Sequence, residues 1–164
     1  MAYIAVNTSN NFVALQINGN GIDYDSNVSN AFVSGVSTDV MTVPALQEVT
    51  LNASPGTFRW QQLDTGSEKI VTTPATNSVN ATLVLDDVTF FSAKGNTSAI
   101  IDLVNNKTKV YFRLGWQGLS SSDRYIQGAG YLTALAPTVS PGSPVWTSPI
   151  TIEVDGEFTR GNVA

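Results

Sequence analysis

The chain has 164 residues, of which 42% are hydrophobic and 13% are charged, about half of the charged share of a typical globular domain. This length suits one domain, which we place at 1–164. The absence of histidine and cysteine excludes disulfide bonds, Cys- or His-ligated metal sites and the Ser-His-Asp and Cys-His catalytic arrangements. The formal net charge is −5, and the scattered basic residues form no groove for nucleic acid phosphate.

The N-terminal part, 1–45, carries the weakest structural pattern. Alternating side chains at 12–17 predict a first strand, and Asn18-Gly19-Asn20-Gly21 is typical of the turn in a β-hairpin. The polar stretch 26–36 predicts no regular element. The first seven residues include no basic residue, so we expect no secretory signal, and no apolar run reaches the length of a membrane span.

The remaining part, 46–160, predicts a core of antiparallel strands. Apolar and polar residues alternate along a strand from 79 to 85, which ends at Asp86-Asp87. Ser54-Pro55-Gly56 predicts a tight turn. Similar alternation predicts further strands at 58–63, 110–116 and 146–158, and another strand is predicted at 125–135, after a turn at 118–122.

One short α-helix is predicted at about 97–105. Asn96, Thr97 and Ser98 are suitable N-caps, and apolar residues at 100, 103 and 104 have the spacing of one helical face. The expected fold class is therefore mainly β, a sandwich or barrel of antiparallel strands with one short flanking helix.

The segment 64–76 is predicted to be a loop between two strands, and it is longer than a hairpin requires. It is polar apart from Ile70 and Val71 near its centre, so we expect it to become ordered against a neighbouring subunit. The candidates for inter-subunit contact are Gly66, Ser67, Glu68, Lys69, Ile70 and Val71.

The pattern Asp23-x-Asp25-x-Asn27 resembles the first half of a calcium-binding loop. Val28 stands where such a loop requires glycine, and Ser34 stands where it requires a bidentate glutamate. A polar turn is the favoured interpretation, and we expect no metal site here.

Two other patterns also favour structural roles. Gly128-x-Gly130 lacks the third glycine of a dinucleotide fingerprint and lies in a strand pattern, which indicates room for a neighbouring backbone. Trp60, Trp116 and Trp146 suggest a sugar-stacking platform, but their strand patterns favour a core or a subunit interface. We therefore expect no catalytic residue and no cofactor.

The C-terminal third has a distinctive order of elements. The segment Tyr125-Ile126-Gln127-Gly128-Ala129-Gly130-Tyr131-Leu132-Thr133-Ala134-Leu135 leads through a proline-rich connection into Ile150-Thr151-Ile152-Glu153-Val154-Asp155-Gly156-Glu157-Phe158. This order resembles the ending of the tail tube (major tail) proteins of long-tailed bacteriophages. The helix followed by Lys109-Val110-Tyr111-Phe112-Arg113-Leu114 is similar to the same family. The resemblance covers about 95–160.

This resemblance implies a β-sandwich subunit that assembles six to a ring, with rings stacked into a hollow tube for genome ejection. The implied partners are other copies of the chain and further tail proteins, namely the tape measure, terminator and baseplate proteins. DNA would pass through the lumen without specific binding, and no membrane would be bound. The implied location is the virion tail, after synthesis in the cytoplasm of a bacterial host.

Acidic residues that interrupt apolar strands are the candidates for facing the lumen: Glu153, Asp155, Asp86 and Asp87. The apolar side chains at 150, 152 and 154 share one face of a strand, so Glu153 and Asp155 share the other. These carboxylates need water or a partner such as Arg113. A lumen is favoured because an acidic wall repels DNA.

Two other hypotheses remain open. The aromatic residues suit an extracellular adhesin or a carbohydrate-binding β-sandwich. The element order also suits another tail part of similar fold, such as a tail terminator, a baseplate hub or the tube of a contractile tail.

Overall fold

The computed structural model describes residues 13–43, 45–61, 63–64, 66–116, 119 and 122–163. The predictions for 1–12, including the missing secretory signal and the start of the first strand, lie outside them. Within the described residues there are eight strands, β1 (Ala14–Asn18), β2 (Val40–Thr42), β3 (Leu46–Gln61), β4 (Glu68–Val84), β5 (Lys109–Gly115), β6 (Arg124–Leu135), β7 (Thr147–Val154) and β8 (Thr159–Asn162). The helices there are α1 (Asp87–Phe91), α2 (Ile100–Asn105) and two 3-10 helices, Val28–Phe32 and Ser34–Asp39. No helix in this described part is long and apolar enough to cross a membrane.

The strands form one antiparallel sheet in the order β2-β1-β5-β6-β7-β4-β3, and β8 pairs with β6. The long strand β6 connects the two halves. One of its edges pairs with β5, while the other pairs with β8 at 124–127 and with β7 at 130–135. The predicted mainly β, antiparallel fold class is confirmed.

The larger core cluster of the described residues lies against one face of this sheet. It contains buried side chains from distant strands, including Leu15 of β1, Leu83 of β4 and Ile152 of β7. Strands so far apart in the order share a core because the sheet curves around it. Ile100 of α2 packs into the same cluster, and burying one side chain of this size stabilises the fold by roughly 1.5–3 kcal/mol.

The opposite face is covered over β5 and β6 by the connection between β1 and β2. Ala31 of this connection packs against Tyr111 and Ala129. The guanidinium of Arg113 lies between two rings, 4.5 Å from the ring centre of Phe32 and 4.0 Å from that of Tyr125. This cation is therefore held by aromatic faces, an arrangement that stabilises a partly desolvated guanidinium.

The hairpin turn predicted at 18–21 is wrong, because these residues begin the long connection that contains both 3-10 helices. Asn18 is buried, and its side-chain amide donates to the carbonyl of Ala31. The backbone N–H of Gly19 donates to the hydroxyl of Thr97. Long-range hydrogen bonds of this kind compete successfully with local turn formation. Asn27 caps the first 3-10 helix by accepting from Ser29 N–H.

A buried carboxylate anchors the far end of this connection. Asp39 is 6% exposed, and it accepts hydrogen bonds from the backbone and side chain of Asn96 and from the side chain of Asn20. These hydrogen bonds hold the pKa of Asp39 below its ordinary value. The carboxylate remains charged in a dry position because polar donors surround it.

The same contacts correct the helix prediction. Asn96 and Thr97 bind Asp39 and its backbone carbonyl instead of capping a helix, so α2 begins at Ile100 with Ala99 as an N-cap that makes no side-chain bond. A second helix, α1, was not predicted. Asp86 caps it by accepting from Val88 N–H.

Two strand boundaries also differ from the prediction. Ser54-Pro55-Gly56 is not a turn, because β3 continues through it with a register shift between Ser54 and Gly56. Proline is tolerated there because it lies at a bulge of an edge strand. The last predicted strand ends at Val154, and Gly156, with φ +100°, turns the chain into β8. Phe158 lies in that connection and packs against Phe112.

The predicted close approach at Gly128 and Gly130 is confirmed. A Cβ on Gly128 would lie 3.0 Å from the ring of Phe112, and one on Gly130 would collide with the backbone carbonyl of Glu153. The collision at Gly130 is the more severe, because a backbone atom of the neighbouring strand cannot move away as a side chain can. Glycine at 130 is thus a condition for pairing β6 with β7.

Gly130→Ala is expected to lower the free energy of unfolding by ~2 kcal/mol, the cost of forcing a group into packed space. Gly142→Ala is the matched control, since its added Cβ would meet no atom within 4 Å. Urea unfolding of the unassembled protein, followed by tryptophan fluorescence, measures both variants. Equal urea midpoints for Gly130→Ala and Gly142→Ala would contradict the close approach of Gly130 to the backbone of β7.

Candidate assembly surfaces

A polar face extends across β3, β4 and β7 on the side of the sheet away from the core. Strand pairing places Thr50, Asn80 and Thr151 in one row and Asn52, Ser78 and Glu153 in the next. The hydroxyl of Thr151 donates to the side-chain oxygen of Asn80 at 2.8 Å. We define the polar face by its exposed and half-buried side chains: Glu48, Thr50, Asn52, Ser78, Asn80, Thr82, Pro149, Thr151 and Glu153. Its charged members are both carboxylates.

The structure places Glu153 on this face but separates Asp155 from it. Because β7 ends at Val154, the strand parity does not extend to Asp155. The carboxylate of Asp155 lies 3.0 Å from the ammonium of Lys109, which is also 2.7 Å from the carboxylate of Asp25. The expected partner, Arg113, instead donates to Gln127.

Asp86 and Asp87 lie at the other end of the sheet. Asp86 caps α1, and Asp87 lies in its first turn. Leu85 hydrogen-bonds Trp146, just before β7 begins, whereas Glu153 lies near the end of β7. At about 3.3 Å per residue, Trp146 and Glu153 are roughly 20 Å apart along the strand. The four acidic candidates therefore do not form one group. Glu48, which was not among the predicted candidates, is the carboxylate that shares the polar face with Glu153.

The hairpin of β3 and β4 extends beyond the rest of the sheet as an arm, which we define as 56–61 and 68–76. The pairing of β4 with β7 covers 78–84, whereas the arm strands pair with each other. The loop predicted at 64–76 is therefore wrong in its extent, since β4 begins at Glu68. The β-branched residues of 70–76 favour an extended strand, and strand alternation is invisible in the sequence because both faces are exposed.

The arm has two different faces. Cross-strand pairing places Phe58 beside Val71 and Trp60 beside Lys69, and the rings of Phe58 and Trp60 are stacked with centroids 6.0 Å apart. We call these four residues the aromatic face. Phe58 is 58% exposed and Val71 48%, and contiguous apolar exposure of this kind marks interaction surfaces.

The other face of the arm carries Arg59, Ile70 and Glu68, and Arg59 pairs with Glu68 at 3.4 Å. The predicted inter-subunit candidates thus divide between the two faces and the turn. Lys69 and Val71 lie on the aromatic face, while Gly66 lies in the turn with φ +64°.

A groove lies at the opposite end of β4, beside α1. Its cavity of about 480 Å³ is lined by Leu85, Asp86, Asp87, Phe90, Phe91, Pro137 and Trp146, and we call it the α1 groove. Phe91 is 64% exposed and Trp146 52%. The rings of Phe90 and Phe91 meet edge to face at 4.7 Å.

The tryptophans are not gathered into one platform. Trp60 lies on the arm beside Lys69, while Trp146 hydrogen-bonds Leu85 at the far end of β4. The intervening strand spans about 50 Å at 3.3 Å per residue. Trp116 is half-buried and packs against the core. This separation removes the geometric basis for a shared sugar-stacking site.

The residues of the calcium-like pattern make local contacts. Asp25 accepts from the hydroxyl of Tyr111 at 3.0 Å and pairs with Lys109, while Asn27 caps a 3-10 helix. Lys109 lowers the pKa of Asp25, and burial raises the pKa of Tyr111 to about 12. Across the described ranges, no group of three or more acidic, His or Cys side chains is arranged to hold a metal.

No family model and no curated protein matches the chain, but solved structures match its fold. A chain in the tail of an empty gene transfer agent particle, refined with C6 symmetry, is 12% identical over 94% of this chain and 98% of that chain, with a TM-score of 0.58. The SPP1 tail tube is 11% identical over 92% of this chain and 77% of that chain, with a TM-score of 0.62. A chain of the sheath–tube complex of an extracellular contractile injection system is 10% identical over 93% of this chain and 89% of that chain, with a TM-score of 0.56. The resemblance to tail tube proteins is therefore confirmed for the fold.

Lys109→Met is expected to raise the pKa of Asp25 towards its ordinary value, because the charge-assisted hydrogen bond is lost. Because the pKa of Asp25 is lower in the folded protein than in the unfolded chain, its ion pair stabilises the fold at pH values above the unfolded-state pKa. This stabilisation is lost as the pH falls through the folded-state pKa. Carboxylate ¹³C NMR titration measures the shift, with Lys107→Met, a change at an exposed lysine two residues away, as the control. An unchanged Asp25 pKa in Lys109→Met, or an equal rise in Lys107→Met, would contradict the assignment.

Proposed function

We propose that this chain is a structural subunit that assembles with copies of itself, six to a ring, into the stacked rings of a bacteriophage tail tube. The observation that carries the proposal is the shared fold, which extends over more than nine-tenths of the chain in both the gene transfer agent tail and the SPP1 tail tube. The six-fold ring follows the C6 symmetry of the gene transfer agent tail. The subunit would have no catalytic step and no cofactor.

The sheet edges support self-association. The 16-residue strand β3 is at one end of the strand order, so the N–H and C=O groups along its outer side have no partner strand among the described residues. A long free edge is a template for pairing with another chain. Closing a ring of subunits would cover such edges by the same principle that closes a β-barrel.

The polar face is the proposed wall of the channel. It combines hydroxyl and amide side chains with the carboxylates of Glu48 and Glu153, so it would hydrate well and repel DNA phosphate. Asp155 lies beyond the end of β7, outside this face, and its carboxylate shares Lys109 with Asp25. Asp86 and Asp87 remain candidates for the channel mouth, since they lie at the other end of β7. The genome would pass through this channel into the host.

The remaining partners follow from the geometry of a tube. A stack of rings needs a length-determining protein and a protein at each end, which the resemblance identifies as tape measure, terminator and baseplate proteins. The subunit would therefore reside in the virion tail, after synthesis in the bacterial cytoplasm. It would bind DNA transiently and would not bind membranes.

Shortening the arm tests self-assembly directly. Replacing 60–69 by Asn-Gly retains the pairing of Arg59 with Ile70 and supplies a two-residue hairpin turn. Negative-stain electron microscopy should show tubes of uniform diameter for the original protein and folded, unassembled subunits for the short-arm variant. Tubes from both proteins would refute the role of the arm. Dispersed subunits of the original protein that bind glycans would favour an adhesin, and single closed rings would favour a terminator.

Charge reversal on the polar face tests the channel wall. Glu48→Lys combined with Glu153→Lys should permit assembly but slow DNA ejection at least tenfold at low salt, because a cationic wall binds phosphate. The delay should shrink as salt is raised, and the neutral pair Glu48→Gln and Glu153→Gln should cause little delay. Particles carrying each variant are compared by dye-detected DNA release. A normal rate for the lysine pair would place these carboxylates outside the channel.

A further inference from the structure

The α1 groove is an apolar surface that the described chain leaves open. Phe91 and Trp146 are both more than half exposed, and Val88, also on α1, is 63% exposed. Aromatic side chains contribute large buried areas when an interface forms. Leaving large apolar side chains in contact with water is unfavourable for an isolated subunit, and a contiguous patch of them indicates an interaction surface.

The aromatic face of the arm is a second apolar surface of the same kind. The stacked rings of Phe58 and Trp60, together with Val71, present a narrow ridge on a two-stranded ribbon. A ridge complements a groove in shape, and the groove cavity of about 480 Å³ is large enough for one or two aromatic rings.

The charges of the two surfaces are opposite. Lys69 is the charged member of the aromatic face, whereas Asp86 and Asp87 are the charged members of the groove lining. Asp86 is already bound to α1 as its cap, but Asp87 is exposed. Lys69 and Asp87 could therefore form an ion pair at the edge of a contact between the two surfaces, where opposite charges fix the register of an interface.

These two surfaces cannot meet within one chain, because about 50 Å of β4 separates Lys69 from the neighbourhood of Trp146. A contact between them must join two copies. Joining different surfaces of identical copies is a head-to-tail contact, which repeats along an axis unless it closes. The direction of repetition follows β4, from the arm of one copy to the groove of another.

We propose that the aromatic face of the arm of one copy docks into the α1 groove of a second copy, with Lys69 beside Asp87. This rests on the proposed tube function and assigns the contact between successive rings. The partner is a second copy of this chain because both complementary surfaces belong to it and lie at its opposite ends.

Engineered cysteines test the contact, since the natural sequence has none. A mixture of Val71→Cys and Phe91→Cys subunits is assembled, oxidised and analysed on a non-reducing gel. We expect covalent dimers in the mixture, and a ladder of higher multimers from a chain carrying both changes. Ile70→Cys is the matched control, because Ile70 is 53% exposed but lies on the other face of the arm; it should not cross-link to Phe91→Cys.

Charge exchange provides a second readout that does not depend on thiols. Lys69→Asp or Asp87→Lys alone should raise the protein concentration needed for assembly roughly five- to tenfold, and the two together should restore it. Tubes that form without the Val71–Phe91 cross-link, or that cross-link through Ile70→Cys, would overturn the docking while leaving the tube function intact. Failure of the unmodified protein to form tubes would overturn both. A groove occupied by a glycan or a different tail protein would also appear as tubes without the cross-link.

Discussion

Backbone pairing along β6 is the interaction on which the other elements depend. This strand joins β5 on one edge to β7 and β8 on the other, and the close approach to Glu153 requires glycine at 130. One side of β6 contributes Leu132 to the core, and the other contributes Ala129 beneath the connection between β1 and β2. Since that connection covers β5 and β6, the polar face of β3, β4 and β7 is left for solvent or for a partner.

Several charged side chains of the chain are held by partners within the fold. Asp39 is held by hydrogen bonds from neutral groups, and Arg113 is held between aromatic rings. Lys109 neutralises parts of two carboxylates at once. The polar face and the aromatic face therefore combine hydroxyl, amide and aromatic side chains with few charges, and the cores of subunit interfaces are depleted of charge in the same way.

Strands with one buried face were predictable, because period-two alternation is a local property of the sequence. The strand at 79–85 and the last strand at 146–158 were found for this reason, and parity placed Glu153 correctly on the outer face of β7. The first strand of the arm was predicted at 58–63, but the second was missed because both of its faces are exposed, so no alternation marks Glu68–Val84 as one strand. The bond between Asp155 and Lys109 was not predictable, because it joins positions far apart in the chain. Asn96 and Thr97 were misread for the same reason.

A helical cryo-electron microscopy reconstruction of assembled tubes tests the central claim most directly, namely that this fold builds a channel with the polar face as its wall. We expect six subunits in each ring, with Glu48 and Glu153 lining the lumen. A tube whose lumen is lined by the opposite side of the sheet would contradict this account, as would a subunit that remains monomeric at every concentration.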